Sequence, residues 1–101
     1  MRYLGVDLGT KRIGLAVGES GGGVVSPLKI IEAHPQPDRN AEAILQAADA
    51  YGADAIVIGL PVNMDGTEGP QAKLSRRLAE AIARISPLGV RLHDERLTSH
   101  A

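Results

Sequence analysis

The sequence predicts an α/β fold, a mixed sheet that opens with an N-terminal hairpin and carries flanking helices. Near the N-terminus, three strand-type runs follow one another with only turns between them, so the first pairings must be local and antiparallel. Helix-periodic and strand-type segments then alternate to the end of the chain, the order that builds parallel crossovers. The first and last strand-type runs both end on acidic residues, Asp7 and Asp94-Glu95.

Residues 3 to 7 and 11 to 18 read as two strands joined by the Gly9-Thr10 turn, with Ile13, Leu15 and Val17 alternating as in a half-buried strand. Gly21-Gly22-Gly23 is a loop, after which Val24 to Ile31 reads as a third strand, broken near Pro27 and therefore expected at an edge. Asp38 is the expected cap of a helix running to about Tyr51, with Ala41, Ile44, Leu45 and Ala48 on one face and Gly52 as its stop. The unbroken run Ala55-Ile56-Val57-Ile58 predicts a strand covered on both faces, central and parallel. A loop from Leu60 to Thr67 leads to a helix from about Pro70 to Ile85, with proline in the first turn where its missing N–H is harmless. Val90 to His93 is the last predicted strand. No repeat, low-complexity tract or linker appears, so residues 1–101 are read as a single domain.

Composition narrows the chemistry. Cysteine is absent, which removes disulfides, thiolate zinc sites and thiol catalysis. With no Phe or Trp and only Tyr3 and Tyr51, recognition of bases on an aromatic platform is not expected. The net charge of −1 leaves any nucleic-acid footprint to a local patch. No apolar run approaches the ~20 residues of a membrane span and no leader-like segment opens the chain, so a cytoplasmic protein without membrane contact is expected.

Two strand-end carboxylates from opposite ends of a sequence suit a divalent cation, because a hard ion takes oxygen ligands and a sheet fixes their separation. Hydrolysis of a phosphodiester needs an activated water and a stabilised leaving oxygen, which two ions about 3.5–4 Å apart can supply. Asp94 and Glu95 are adjacent, so an extended chain points them to opposite faces, and alternation alone does not choose between them. Lys11 and Arg12 on the hairpin are close to Asp7 by connectivity and are the better candidates for phosphate, with Arg96 similar. Lys73, Arg76, Arg77 and Arg84 share roughly a 100° arc of the second helix, opposite Leu74, Leu78, Ile82 and Ile85, and read first as a solvated face. The loop after Leu60 is longer than a crossover requires, which makes Asn63 and Asp65 weaker substrate-side candidates. His93 is the nearest imidazole, although a strand histidine is more often packed than catalytic.

Three blocks carry a family resemblance: Asp7-Leu8-Gly9-Thr10-Lys11-Arg12-Ile13-Gly14-Leu15-Ala16-Val17, Gly59-Leu60-Pro61-Val62-Asn63-Met64-Asp65-Gly66-Thr67, and His93-Asp94-Glu95-Arg96-Leu97-Thr98-Ser99. In that order they resemble the YqgF (RuvX) family, associated with Holliday-junction resolution and with maturation of pre-16S rRNA. The resemblance implies an RNase H-like fold and a nuclease dependent on Mg²⁺ or Mn²⁺, acting on pre-rRNA or branched DNA. It places metal-binding and catalytic roles on Asp7 and Glu95; beside it, Thr10, Lys11, Arg12, Asn63 and Arg96 are the residues expected on the substrate side. Junction resolution would further require a two-fold homodimer. Members of the family continue into a helix and a segment bearing another catalytic Asp, whereas this sequence stops at Ala101. The expectation is therefore that the C-terminal part of the fold is missing, that Thr98 starts no stable helix, and that cleavage is weak or lost. Two other readings stand beside this one. Gly5-Val6-Asp7-Leu8-Gly9-Thr10 is also similar to the first phosphate-binding hairpin of the actin-like, sugar-kinase and Hsp70 ATPases, which need a second half not found here. The other is a non-catalytic RNA-binding remnant of the nuclease fold.

Overall fold

Alternation along the first strand assigns the two faces of the sheet. In the computed structural model, which describes residues 1–19 and 25–94, β1 (Arg2–Leu8) buries Leu4 and Val6 and turns Tyr3, Gly5 and Asp7 the other way. β2 (Arg12–Glu19) does the same with Ile13 and Leu15 against Gly14 and Ala16. These strands pair antiparallel from Arg2↔Glu19 to Leu8↔Ile13. The Gly9 N–H closes their turn by donating to the Arg12 carbonyl at 2.8 Å. A Cβ on Gly9 would lie 2.8 Å from that same oxygen, so the turn needs glycine for space.

β3 (Val25–Glu32) adds antiparallel to β2 and forms one edge, as Pro27 predicts. Its register slips between Leu15 and Ala16, where Pro27 and Lys29 are the partners and Leu28 is skipped, a bulge that spares the ladder a proline conflict. After α1 (Pro37–Ala50), β4 (Ala55–Leu60) pairs parallel with β1. After α2 (Pro70–Ile85), β5 (Gly89–Asp94) pairs parallel with β4. The strand order is β3-β2-β1-β4-β5. β4 is thus interior and parallel on both sides as expected, but the middle of the sheet belongs to β1.

The expected two-sided cover of β4 is corrected. The core joins Leu4, Ile13, Ile56 and Ile58 of the sheet to Ala41, Ile44, Leu78 and Ile82 of the helices, so α1 and α2 share one face. Val57, on the opposite side, is only partly buried and borders an open groove. Four consecutive apolar residues therefore overstated burial, because the alternate position is occupied by a medium-sized residue between glycines and alanines rather than under a helix.

Helix ends also differ in detail. α1 starts with Gln36 as N-cap and Pro37 in the first turn, so Asp38 is not the cap but an acid within the first turn, where it favours the helix dipole. Its C-terminus follows expectation. Gly52 takes φ +67°, its N–H donates to Asp49, and the Ala53 N–H donates to Ala48, the paired closure that left-handed glycine permits. On α2 the buried face is Ala72, Ser75, Leu78, Ala81 and Ile82, whereas Leu74 and Ile85 are exposed. Ser75 is accommodated because its hydroxyl donates to the Gln71 carbonyl one turn back.

Candidate metal and nucleic-acid site

β1, β4 and β5 run parallel, so their carboxyl ends lie along one edge of the sheet. Asp7, the loop after Leu60 and the Asp94 backbone are therefore brought to that edge, as connectivity suggested. Asp7 is exposed near the end of β1. Gly14 sits across from it on β2, and the Gly14 position would place a Cβ 3.8 Å from the Asp7 Cβ. On the other side, continuing the β1–β4 register one step beyond Val6↔Ile58 sets Asp7 beside Gly59, and Gly59 is paired with His93 on β5. A row of Gly14, Asp7, Gly59 and His93 thus crosses the face that no helix among the described residues covers.

That face is a broad groove of about 680 Å³, lined among others by Gly5, Asp7, Gly14, Ala16, Val57, Gly59 and His93. Its floor is made of small residues, and the aromatic ring of Tyr3 lies across Gly18 nearer the strands' other ends, within 2.5 Å of where a Cβ there would be. An exposed carboxylate with a glycine on each side has room for an ion that keeps its waters. Oxygen donors of this kind fit Mg²⁺ or Mn²⁺. Among the described residues no group of three or more His, Asp or Glu could hold an ion by itself. Glu95 and Arg96 lie outside the described residues, as do Thr98 and the Gly21-Gly22-Gly23 loop.

Thr10, Lys11 and Arg12 are exposed at the hairpin end. Neither Lys11 nor Arg12 enters an ion pair among the described residues. The hairpin end is tied down through backbone: the Ala33 N–H donates to the Lys11 carbonyl at 2.9 Å, and the Gln71 side-chain amide donates to the Leu8 carbonyl. Gln71 thereby links the first turn of α2 to the strand end bearing Asp7. No sequence signal marks it, since its partner is 63 residues away.

The loop from Leu60 is a folded unit. Val62 bridges Glu68, the Asn63 N–H donates to the Thr67 carbonyl at 2.8 Å, and Gly66 takes φ +92°. The Asn63 amide donates to the Thr67 hydroxyl at 3.0 Å, and the Thr67 hydroxyl donates to Asp65 at 2.7 Å, so both polar candidates shape the loop. At the loop's end Glu68 takes two hydrogen bonds from Arg76 of α2. Those hydrogen bonds hold the Glu68 carboxyl below its ordinary range. Arg76 is thereby engaged with an acid, and Arg84 lies 3.8 Å from Asp38. The basic arc on α2 is thus exposed, as expected of a solvated face, and two of its members, Arg76 and Arg84, also pair with acids.

His93 departs from expectation. It is exposed rather than packed, on the same face as Asp7. His34 has a structural part: Asn40, almost fully buried, accepts from the His34 N–H at 2.7 Å and donates to its carbonyl at 2.8 Å. This bracket fixes the link between β3 and α1.

The family model described as RuvX, Holliday junction resolvase, matches residues 1–101. The chain belongs to the RuvX family. A protein of Paracoccus denitrificans named "Putative pre-16S rRNA nuclease" is 42% identical over 97 residues, covering 96% of this chain and 61% of the relative. One of the same name from Caulobacter vibrioides is 43% identical over 99 residues, covering 97% of this chain and 63% of the relative. The chain thus spans 61% to 63% of the length of these curated relatives. Among solved structures, Thermus thermophilus RuvC in complex with a Holliday junction substrate aligns with a TM-score of 0.64 at 16% identity, over 95% of this chain and 66% of that one. A ROK hexokinase from Thermus thermophilus aligns with a TM-score of 0.62 at 22% identity, over 94% of this chain and 34% of that one. These likenesses establish the RuvC-like, RNase H-like fold of this RuvX chain and do not separate nuclease from kinase.

Proposed function

We propose that this chain carries the catalytic face of a metal-dependent nuclease that hydrolyses phosphodiester bonds in structured nucleic acid, with maturation of the 5′ end of pre-16S rRNA in the bacterial cytoplasm as its role. The observation that carries the proposal is Asp7, an exposed carboxylate near the end of the middle strand, set between glycines on the sheet face opposite the two described helices. The names of relatives about 40% identical support the rRNA substrate.

Asp7 and Glu95 are the residues assigned to hold Mg²⁺ or Mn²⁺. The bound ion supplies Lewis-acid polarisation of the phosphate and a water of lowered pKa. The chain's own part is binding and orientation. Lys11, Arg12 and Arg96 neutralise backbone phosphates without reading sequence, and the Thr10 hydroxyl adds a hydrogen bond to the same backbone. Gly5, Gly14, Ala16 and Gly59 present no bulk, so a sugar-phosphate backbone can descend onto the Asp7 carboxylate. Asn63, in the loop that follows β4 at the same sheet edge, is assigned to the substrate side. With few aromatics, recognition rests on backbone shape and not on stacked bases.

Resolution of Holliday junctions, which needs a two-fold dimer, is the second reading, supported by the description of the family model. The deciding experiment incubates the protein and Mn²⁺ with an end-labelled pre-16S 5′ leader, a four-way junction and a linear duplex. The proposal expects the leader to be cut in preference, at the low level the sequence predicts, and Asp7→Asn to remove the cutting. Preferential cutting of the junction favours the second reading, and equal cutting by Asp7→Asn defeats both.

A further inference from the structure

We propose that His93 supplies an imidazole nitrogen ligand to the cation held by Asp7, and that this nitrogen makes the site favour Mn²⁺ over Mg²⁺. The inference rests on the proposed metal role of Asp7 and adds a donor to it. His93 is paired with Gly59, and the β1–β4 register carried one step past Val6↔Ile58 sets Asp7 on the other side of that glycine; all three line the same groove, so the two side chains rise from one face two strands apart. Two strand spacings are about 9.6 Å between Cα atoms. A carboxylate oxygen and an imidazole nitrogen, each about 2.1 Å from a shared ion, span that interval when the residue between them has no side chain. Gly59 meets that condition. His93 is exposed, so its imidazole is not committed to the core. No hydrogen bond or ion pair of the imidazole is found among the described residues. Both ions prefer oxygen donors, and the discrimination is one of tolerance: Mn²⁺, a first-row transition ion, also accepts an imidazole nitrogen, whereas Mg²⁺ gives up its water reluctantly and keeps to oxygen.

The test is a pair of metal titrations, Mn²⁺ by its paramagnetic resonance signal and Mg²⁺ by calorimetry, on the protein and its Asp7→Asn, His93→Ala and His93→Gln variants. Asp7→Asn is expected to abolish both affinities. Both His93 variants are expected to lower Mn²⁺ affinity by at least the roughly tenfold seen when a metal site loses a supporting partner, with Mg²⁺ affinity unchanged. Because His93 is on the surface, the variants should fold, and circular dichroism of each checks this. If Asp7→Asn abolishes binding while the His93 variants bind Mn²⁺ as before, the inference fails and the metal role of Asp7 stands. Equal losses of Mn²⁺ and Mg²⁺ in the His93 variants also overturn it. Undiminished binding in Asp7→Asn overturns the metal role itself and the inference with it.

Discussion

Asp7 draws its significance from what its neighbours lack. A carboxylate at a strand end is ordinarily a turn or cap group, but here, among the described residues, Gly14 and the adjacent Gly59 set no side chain beside it above a groove floored by small residues. The hairpin that follows offers Lys11 and Arg12 to solvent, with no acid among the described residues paired to either. Reversing both charges should weaken binding to RNA of any sequence and flatten the dependence of affinity on salt, each lost phosphate contact removing close to one unit of slope. Filter-binding at several salt concentrations measures this, and an unchanged slope would remove the two residues from the substrate side. Asp7 was legible in the sequence because its block of flanking residues is distinctive. His93 was not, because its exposure depends on which face of the sheet the helices choose. Period-two reasoning relates residues within a strand and leaves that choice open.

The turns and loops at the strand ends hold the site in place. Gly9 is fixed by close approach to the Arg12 carbonyl, which is backbone and cannot yield cheaply. Gly9→Ala should therefore destabilise the fold by about 1–3 kcal/mol, read from the shift of a urea transition. A shift near zero would mean that the turn tolerates a side chain. The loop of residues 60–69 depends on a clamp. Arg76 hydrogen-bonds Glu68 and lowers its pKa, so the clamp's contribution is present above the unfolded glutamate value and is lost as pH falls through the lowered folded value. Below the ordinary glutamate pKa of about 4.3, amide-exchange protection at Asn63 and Thr67 should drop in the native protein. In Glu68→Gln it should already be low at neutral pH and show no such step; the same step in the variant would rule the clamp out. At this scale the sequence was clear about element type and less so about ends. Asp38 looks like a cap, but Pro37 before it is suited to the first helical turn and draws the start of α1 back to Gln36. The loop's internal hydrogen bonds and the Gln71 tie were hidden because they depend on the chain's return path.

Across the whole molecule, both helices cover one face of a five-stranded sheet and the functional candidates occupy the other. Adjacent residues of β4 report this asymmetry. Ile56 is fully buried beneath the helices, whereas Val57 borders the groove. Ile56→Ala should cost about 2–5 kcal/mol in urea denaturation, and Val57→Ala about 1 kcal/mol or less. Equal costs would mean that the groove face is as well packed as the core. The fold class, the strand count and the edge position of β3 were readable from alternation, turn residues and Pro27. The one-sided placement of the helices was not, since an apolar run reports hydrophobicity at each position and not the partner that covers it. A fold shared with a RuvC and with a hexokinase makes the chemistry of this face, and not the topology, the deciding matter.

The most direct test of that chemistry is a Mn²⁺ titration of the isotopically labelled protein followed by amide line broadening. Signals from the β1 end and its neighbours, Val6 to Gly9, Gly14 and Gly59, should broaden first, and Asp7→Asn should abolish the effect. Broadening centred elsewhere, or persisting at these positions in Asp7→Asn, would contradict the metal role of Asp7.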